Sequence, residues 1–276
     1  MANLTLIIIM NTSLKKTCYS PLFTPRFYLP TSDIVGVEIN IETGGSVLSS
    51  DEGFRLVQSG SHHELFGKIK NNLEKWQEKS GRNLTFSMEI PGHADPLHLE
   101  LFLEGIEPYI PLSRIELMFD AYDLPAYQAT ENIVRLFASL PDKAIRTGLF
   151  TPRPLDFDAS ILSEWCTVVK LTKGVIREIK ENPAGAYAFH KFIESLIPRK
   201  VEIVKDGLYS KEDVTNAILM GIKYGQGYFL SRNNSRPLEA VKTLRKNPGS
   251  QIYERRFDFF QRCSLDLTEK STMPSL

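Results

Sequence analysis

Tyr224-Gly225-Gln226-Gly227-Tyr228-Phe229-Leu230-Ser231 is the stretch whose reading decides the fold. It follows an amphipathic run carrying Val214, Ile218 and Ile222, and it precedes a helix-like segment from Arg236. Its aromatic and aliphatic residues read as a strand, yet two glycines flank its one glutamine. Glycine weakens a strand interior and marks places where a ligand or another backbone comes close. On spacing alone, a strand with a tight bend and a strand ending at a site are both open.

Upstream, strands and helices alternate. Two β-rich runs between residues 23 and 41 are joined by Pro30-Thr31-Ser32-Asp33, a set of turn formers that predicts a hairpin. Leu65, Ile69, Leu73 and Trp76 recur at helical spacing behind His62 and His63, which read as solvated surface. A strand over 84–90 stops at Pro91-Gly92, and a short helix over 99–106 leads to a strand over 114–119. The 124–140 segment is helical, with Ile133, Leu136, Phe137 and Leu140 as its stripe. A strand over 143–150 is broken by Thr151-Pro152-Arg153-Pro154, because two prolines deny both helix and ladder. Strands follow over 167–171 and 200–204, around a helix lined by Phe189, Phe192, Ile193 and Leu196 that Pro198 ends. Ser210 caps the next helix, with Asp213 three residues on in a capping-box arrangement. Repeated β-then-α units imply a parallel sheet, and their number suits closure into a (β/α)8 barrel.

The chain has 276 residues, 42% apolar and 24% charged, as in an ordinary globular domain. Lys+Arg and Asp+Glu both number 33, so no long-range attraction to nucleic acid or anionic membrane follows. Cys18, Cys166 and Cys263 stand apart with no metal-ligand spacing, which points to a reducing compartment. The apolar run Leu4-Thr5-Leu6-Ile7-Ile8-Ile9-Met10 is too short to span a bilayer and lacks the flanks of a signal peptide. A cytoplasmic protein is expected, with an extension over 1–19, a barrel over 20–235 and a C-terminal helix and tail over 236–276.

Three motifs, in order, carry a resemblance to a known family. Ile34-Val35-Gly36-Val37-Glu38-Ile39 is similar to "IVGVEAL", Val169-Lys170-Leu171 before Val175-Ile176 is similar to "LKID..FI", and the glutamine stretch ends in a run like "GYLFS". These are segments of the EAL domain, the bacterial cyclic-di-GMP phosphodiesterase fold, and the resemblance covers residues 23–232. It implies a TIM-like barrel of the EAL type. An active member needs carboxylates at the C-terminal strand ends to hold two divalent metals, which clamp the phosphodiester and generate a hydroxide.

Residue by residue, the match is partial. Glu38, Lys170 and Gln226 stand at family positions, and Asp206 replaces a glutamate. Met88 falls where an asparagine is expected, Met118 and Ala121 where two glutamates belong, Leu149 and Phe150 where paired aspartates belong, and Tyr209 at a further glutamate. Asp156 and Asp158 are offset and read as part of a solvated loop. Glu42 replaces a phosphate-facing arginine, and Thr24 a glutamine. The expectation is a degenerate domain with no catalytic residue, no metal and no cofactor, in which Glu38, Lys170, Asp206 and Gln226 are vestigial ligand positions. Each has a structural alternative: a strand-end carboxylate, a salt-bridge partner in the barrel mouth, half of a turn pair, and an amide satisfying backbone groups.

What this implies for function is a regulator working through a protein partner in motility, biofilm or transcription control, similar to the enteric EAL-like anti-flagellar proteins. No direct nucleic-acid or membrane contact is expected, and cyclic-di-GMP is not expected to bind. A cyclic-di-GMP sensor and a phosphodiesterase with altered metal ligands are the alternatives. Ile252, Phe257, Phe259 and Phe260 among Arg255, Arg256 and Arg262 offer either a second binding surface or a barrel-closing helix.

Overall fold

The computed structural model describes residues 19–232 apart from 44–45, 50–51, 54–61, 81–82, 92–93, 95, 124–134, 136, 152 and 173–182. The chain opens with β1 (Tyr19–Tyr28), β2 (Asp33–Thr43) and the two-residue β3 (Ser46–Val47). Then come α1 (His62–Ser80), β4 (Thr85–Glu89), α2 (Pro96–Ile106), β5 (Ile115–Asp120) and β6 (Arg146–Thr151). The second half holds α3 (Ala159–Trp165), β7 (Val168–Leu171), α4 (Pro183–Leu196), β8 (Glu202–Lys205), α5 (Lys211–Leu219), β9 (Tyr224–Gln226) and α6 (Tyr228–Arg232).

The sheet runs β1-β9-β8-β7-β6-β5-β4-β2-β3, and β1 also pairs with β2. Eight strands therefore close into a barrel, with β3 hanging on β2 as a hairpin flap. Every barrel pairing is parallel except the two made by β1, which is antiparallel to β2 and to β9. The predicted hairpin is thus the closing seam. Tyr28 lies opposite Tyr224 across it with ring centroids 5.4 Å apart. A bulge between Arg26 and Phe27 shifts the β1/β2 register and sharpens the local bend.

Alternation along each strand sorts side chains between two environments. Outward residues such as Val37, Ile39, Phe86, Met88, Leu117, Leu149, Val169, Leu171 and Ile203 join the core beneath the helices. The helical stripes meet them: Leu65, Ile69 and Leu73 from α1, Leu99, Phe102, Leu103 and Ile106 from α2, Phe189, Phe192, Ile193 and Leu196 from α4. Phe137 and Leu140 are buried as the sequence suggests, while the rest of that predicted helix lies largely outside the described residues. Residues 1–18 and the segment from 233 onward also lie outside them, together with the expectations made for both.

One reading needs correction. The octet 224–231 is a strand only as far as Gln226, and α6 begins at Tyr228. Gly227 makes the break: its φ is +152°, and a Cβ there would meet the Leu208 backbone nitrogen at 2.4 Å. Gly225 gives way to the side chains of Leu29 and Leu208, so the two glycines serve close packing around the glutamine. Asp156 and Asp158 are exposed in the connection between β6 and α3, as the solvated-loop reading expects. Asp156 ends a 3-10 turn (Pro154–Asp156), and Asp158 caps α3, its Oδ1 accepting from the Ser160 N–H at 2.7 Å.

Candidate functional site at the barrel mouth

The inward-facing residues form tiers. At the lower end, Arg26 of β1 reaches across to Glu116 of β5, with Nη2 2.6 Å from Oε1 and Nη1 3.1 Å from Oε2, and Nη2 also donates to Ser87 Oγ at 3.1 Å. Arg146 continues the array, 3.7 Å from Glu116 and 2.9 Å from Glu202. Burial pulls the Arg26 guanidinium down, but Glu116 outweighs it and holds the group above its ordinary value.

Above this tier the barrel is apolar. Met118 lies opposite Gly148, and Gly148 lies opposite Val168. A Cβ on Gly148 would sit 2.3 Å from Met118 Sδ, so the missing side chain is the space the thioether occupies. Met118, Val168 and Val204 are fully buried and share the inward parity.

At the C-terminal strand ends, three of the four residues singled out from sequence meet. Lys170 Nζ lies 2.6 Å from Glu38 Oε2, and Gln226 Nε2 donates to the same oxygen at 2.6 Å. Burial pushes the Glu38 carboxyl up, yet Lys170, the Gln226 amide and Arg26 outweigh it and hold the acid below the ordinary carboxylate range. Lys170 is driven down by burial and back above its ordinary value by Glu38, Glu89 and Asp206. Lys170 is therefore a salt-bridge partner in the mouth, and Gln226 serves a carboxylate rather than backbone. Asp206 stands close enough to act on Lys170, but its Oδ1 accepts from the Gly207 N–H at 2.7 Å.

Glu89 is the mouth residue that sequence reasoning missed. It lies 3.1 Å from Lys170 Nζ and shares the inward parity of Met118, its register partner. Met88, placed at the asparagine position from sequence, faces outward into the core, and the neighbouring Glu89 takes the inward side of β4. Strand parity was the available signal, since Ser87 and Glu89 alternate with the apolar Phe86, Met88 and Ile90. Asp120 was missed for the same reason. It shares the face of Glu116 and Met118 and accepts from the Tyr122 N–H at 3.0 Å, whereas Ala121 is buried in the core. Leu149 also faces the core, Phe150 is half-buried and Tyr209 is exposed at the rim. Glu42 shares the parity of Glu38 and Asn40 beyond the barrel end.

The described residues hold no group of three or more His, Cys, Asp or Glu side chains arranged for a metal ion. The described donors do not fit a pair of divalent cations. Glu38 and Glu89 are bridged by an ammonium, and Asp120 and Asp206 each commit an oxygen to a backbone N–H group.

No protein-family model matches the sequence, and no curated protein matches it. Solved structures do. The chain superimposes on a MucR phosphodiesterase in complex with cyclic-di-GMP, with a TM-score of 0.61 and 13% identity over 83% of this chain and 97% of that one. An EAL-domain protein from Listeria monocytogenes gives 0.56 at 16% identity over 76% and 86% of the two chains. The FimX EAL domain from Xanthomonas citri, in complex with cyclic-di-GMP, gives 0.56 at 14% over 76% and 86%. The fold is that of an EAL domain. An EAL enzyme bound to cAMP and cyclic-di-GMP also matches, with a TM-score of 0.59 at 14% identity, but this chain covers 82% of its own length and 64% of that protein's. Among the described residues, no helix is long and apolar enough to cross a membrane.

Proposed function

We propose that this chain is a regulator on an EAL-type barrel that acts by binding another protein and does not hydrolyse cyclic-di-GMP. One observation carries the reading: the chain's own Lys170 ammonium lies between the two mouth carboxylates, Glu38 and Glu89, where hydrolysis would need metal. A hydroxide nucleophile generated at neutral pH and a clamp on the phosphodiester are the services two metals supply, and no side chain among the described residues replaces either. The partner class is a bacterial transcriptional, motility or biofilm regulator, by analogy with degenerate proteins of the same fold, and fold alone does not fix it.

Glu89 favours a second reading. With Glu38 it offers two carboxylates across one ammonium, so a phosphodiesterase with shifted ligands would begin from this pair. One assay separates the two. Incubated with cyclic-di-GMP and manganese, the protein should release no more linear dinucleotide than its Glu38→Ala variant. Release well above that control would establish the enzyme reading. The partner is tested by affinity purification from the native cell, with recovery of a regulator expected. A protein recovered alone, whose deletion changes neither motility nor adhesion, would end the regulator reading.

A further inference from the structure

Exposed large apolar side chains gather at the C-terminal face of the barrel. Val47 on the β3 flap, Leu97 at the start of α2, Tyr122 after β5, Leu155 after β6, Tyr209 after β8 and Tyr228 after β9 are each 45% to 61% exposed. Among the described residues, the connections at the other end of the barrel contribute only Ile197. At the edge between β5 and β6 the rim is held in place. Tyr122 and Phe157 meet edge to face with ring centroids 5.1 Å apart, and the Tyr122 hydroxyl donates to Asp156 Oδ2 at 2.6 Å. Within this rim the charge is acidic. Glu42 and Asp120 have no ion-pair partner among the described residues. Three cations of the face are engaged inside the chain: Lys170 lies between Glu38 and Glu89, Lys205 Nζ donates to the Thr172 carbonyl at 2.7 Å and to that of Asp206, and Arg153 is 3.5 Å from Asp156. Gln226 adds an open acceptor. Its Nε2 is committed to Glu38, and its buried Oε1 has no hydrogen-bond donor among the described residues.

We propose that the partner protein docks on this face, an assignment that rests on the regulator function above, and that it does so through a segment carrying lysine or arginine between apolar side chains. Grouped exposed apolar residues rimmed by polar ones mark interaction surfaces, and tyrosine is over-represented at their energetic centres. Side chains already held in place, as at Tyr122 and Phe157, give up little freedom on binding. The charge selects the partner. Carboxylates without a cation, set inside an apolar rim, favour a basic segment and penalise an acidic one. The field that repels a phosphodiester from this mouth steers such a segment toward it. Guanidinium and ammonium groups carry donors and no acceptor, which suits the carboxylates and the open Gln226 oxygen alike. Arginine also stacks on tyrosine rings. A second copy of the chain is the poorer match, because a two-fold contact between identical faces would set carboxylate against carboxylate.

The test is photo-crosslinking of the full chain in its native cell, with p-benzoylphenylalanine placed singly at Leu155 or Tyr209 on the rim, or at Leu101 or Tyr187 on the helices at the barrel's side. The rim positions should capture one and the same protein, and the side positions should not. Mass spectrometry of the crosslinked peptide should find several lysines or arginines among apolar residues. Glu42→Lys combined with Asp120→Asn should cut the rim yield several-fold while the variant still melts cooperatively. Should that double variant not fold, Glu42→Lys alone decides. Capture from the side positions alone would refute this face and leave the regulator function standing. Rim crosslinks only to residues 233–276 of the same chain, or only to a second copy, would also overturn the proposal. So would a neutral or acidic crosslinked segment, or a yield that ignores the charge changes. No capture from any position would remove the regulator function and the docking face together.

Discussion

Arg26 and Glu116 meet inside the barrel with side chains 3% and 0% exposed, so each depends on the other for solvation. Removing one partner of a buried pair leaves the other charge uncompensated and costs roughly 3–5 kcal/mol, while replacing both by apolar residues is often near neutral. Glu116→Ala is therefore expected to lose about that much in urea unfolding, and Arg26→Met with Glu116→Leu much less. A single-variant loss below about 1 kcal/mol would show that the pair is not held as described. Lys205 makes a different prediction. Burial, opposed by Asp206 and Asp213, lowers it from 10.5 to about 8 in the folded chain. Between those values the unfolded chain keeps a proton that the folded chain has released, so this residue makes stability rise with pH across that window. Below the window both states are charged and the contribution is constant. Wild type should gain on Lys205→Met by on the order of 1–3 kcal/mol between neutral pH and pH ~10. Parallel pH profiles for the two proteins would contradict it.

Elements were more legible in the sequence than the contacts between them. Ser210 illustrates the legible side: its hydroxyl takes the Asp213 N–H at 3.1 Å and the Asp213 carboxylate takes the Ser210 N–H at 3.0 Å, the capping box that the spacing suggests. Ser210→Ala should cost about 1 kcal/mol, read as a shift in the denaturant midpoint at constant slope. Gly227→Ala should cost more, since its Cβ would strike backbone rather than a movable side chain. If Gly227→Ala proved as mild as Ser210→Ala, the tight turn into α6 would be wrong. Helical stripes such as Leu65, Ile69 and Leu73 announce themselves because burial selects one face of a 3.6-residue period. The end of β9 was hidden because Tyr228 and Phe229 favour strands as readily as helices, and the backbone of Leu208, distant in sequence, decides the turn. Glu89 and Asp120 were hidden because a short motif match carries no parity, and a slip of one residue moves a side chain to the opposite face of a strand. The seam between β1 and β9 joins residues about 200 positions apart, such as Arg26 and Gln226, so no local pattern records it.

At the scale of the whole molecule, a chain of zero net charge carries an uneven barrel. Glu42, Glu89, Asp120 and Asp206 all come from the C-terminal ends of strands or just beyond them, while Lys170 and Lys205 are buried and engaged. A cyclic dinucleotide would bring two phosphodiester charges to this face. Each like-charge contact at ~4 Å costs on the order of 1 kcal/mol in water and several when partly desolvated, and no exposed lysine or arginine among the described inward residues offsets it. Met118 over Gly148 also closes the interior beneath the mouth. Cyclic-di-GMP is therefore expected not to bind at micromolar concentration, with or without manganese, by titration calorimetry. Glu42→Arg alone should not restore binding, because it reverses one charge and leaves the other carboxylates and the Lys170 bridge in place. Micromolar affinity in the wild type that disappears in Gln226→Ala would overturn this, since it would place the nucleotide against the glutamine that now holds Glu38. It would also return the barrel to a sensor's role.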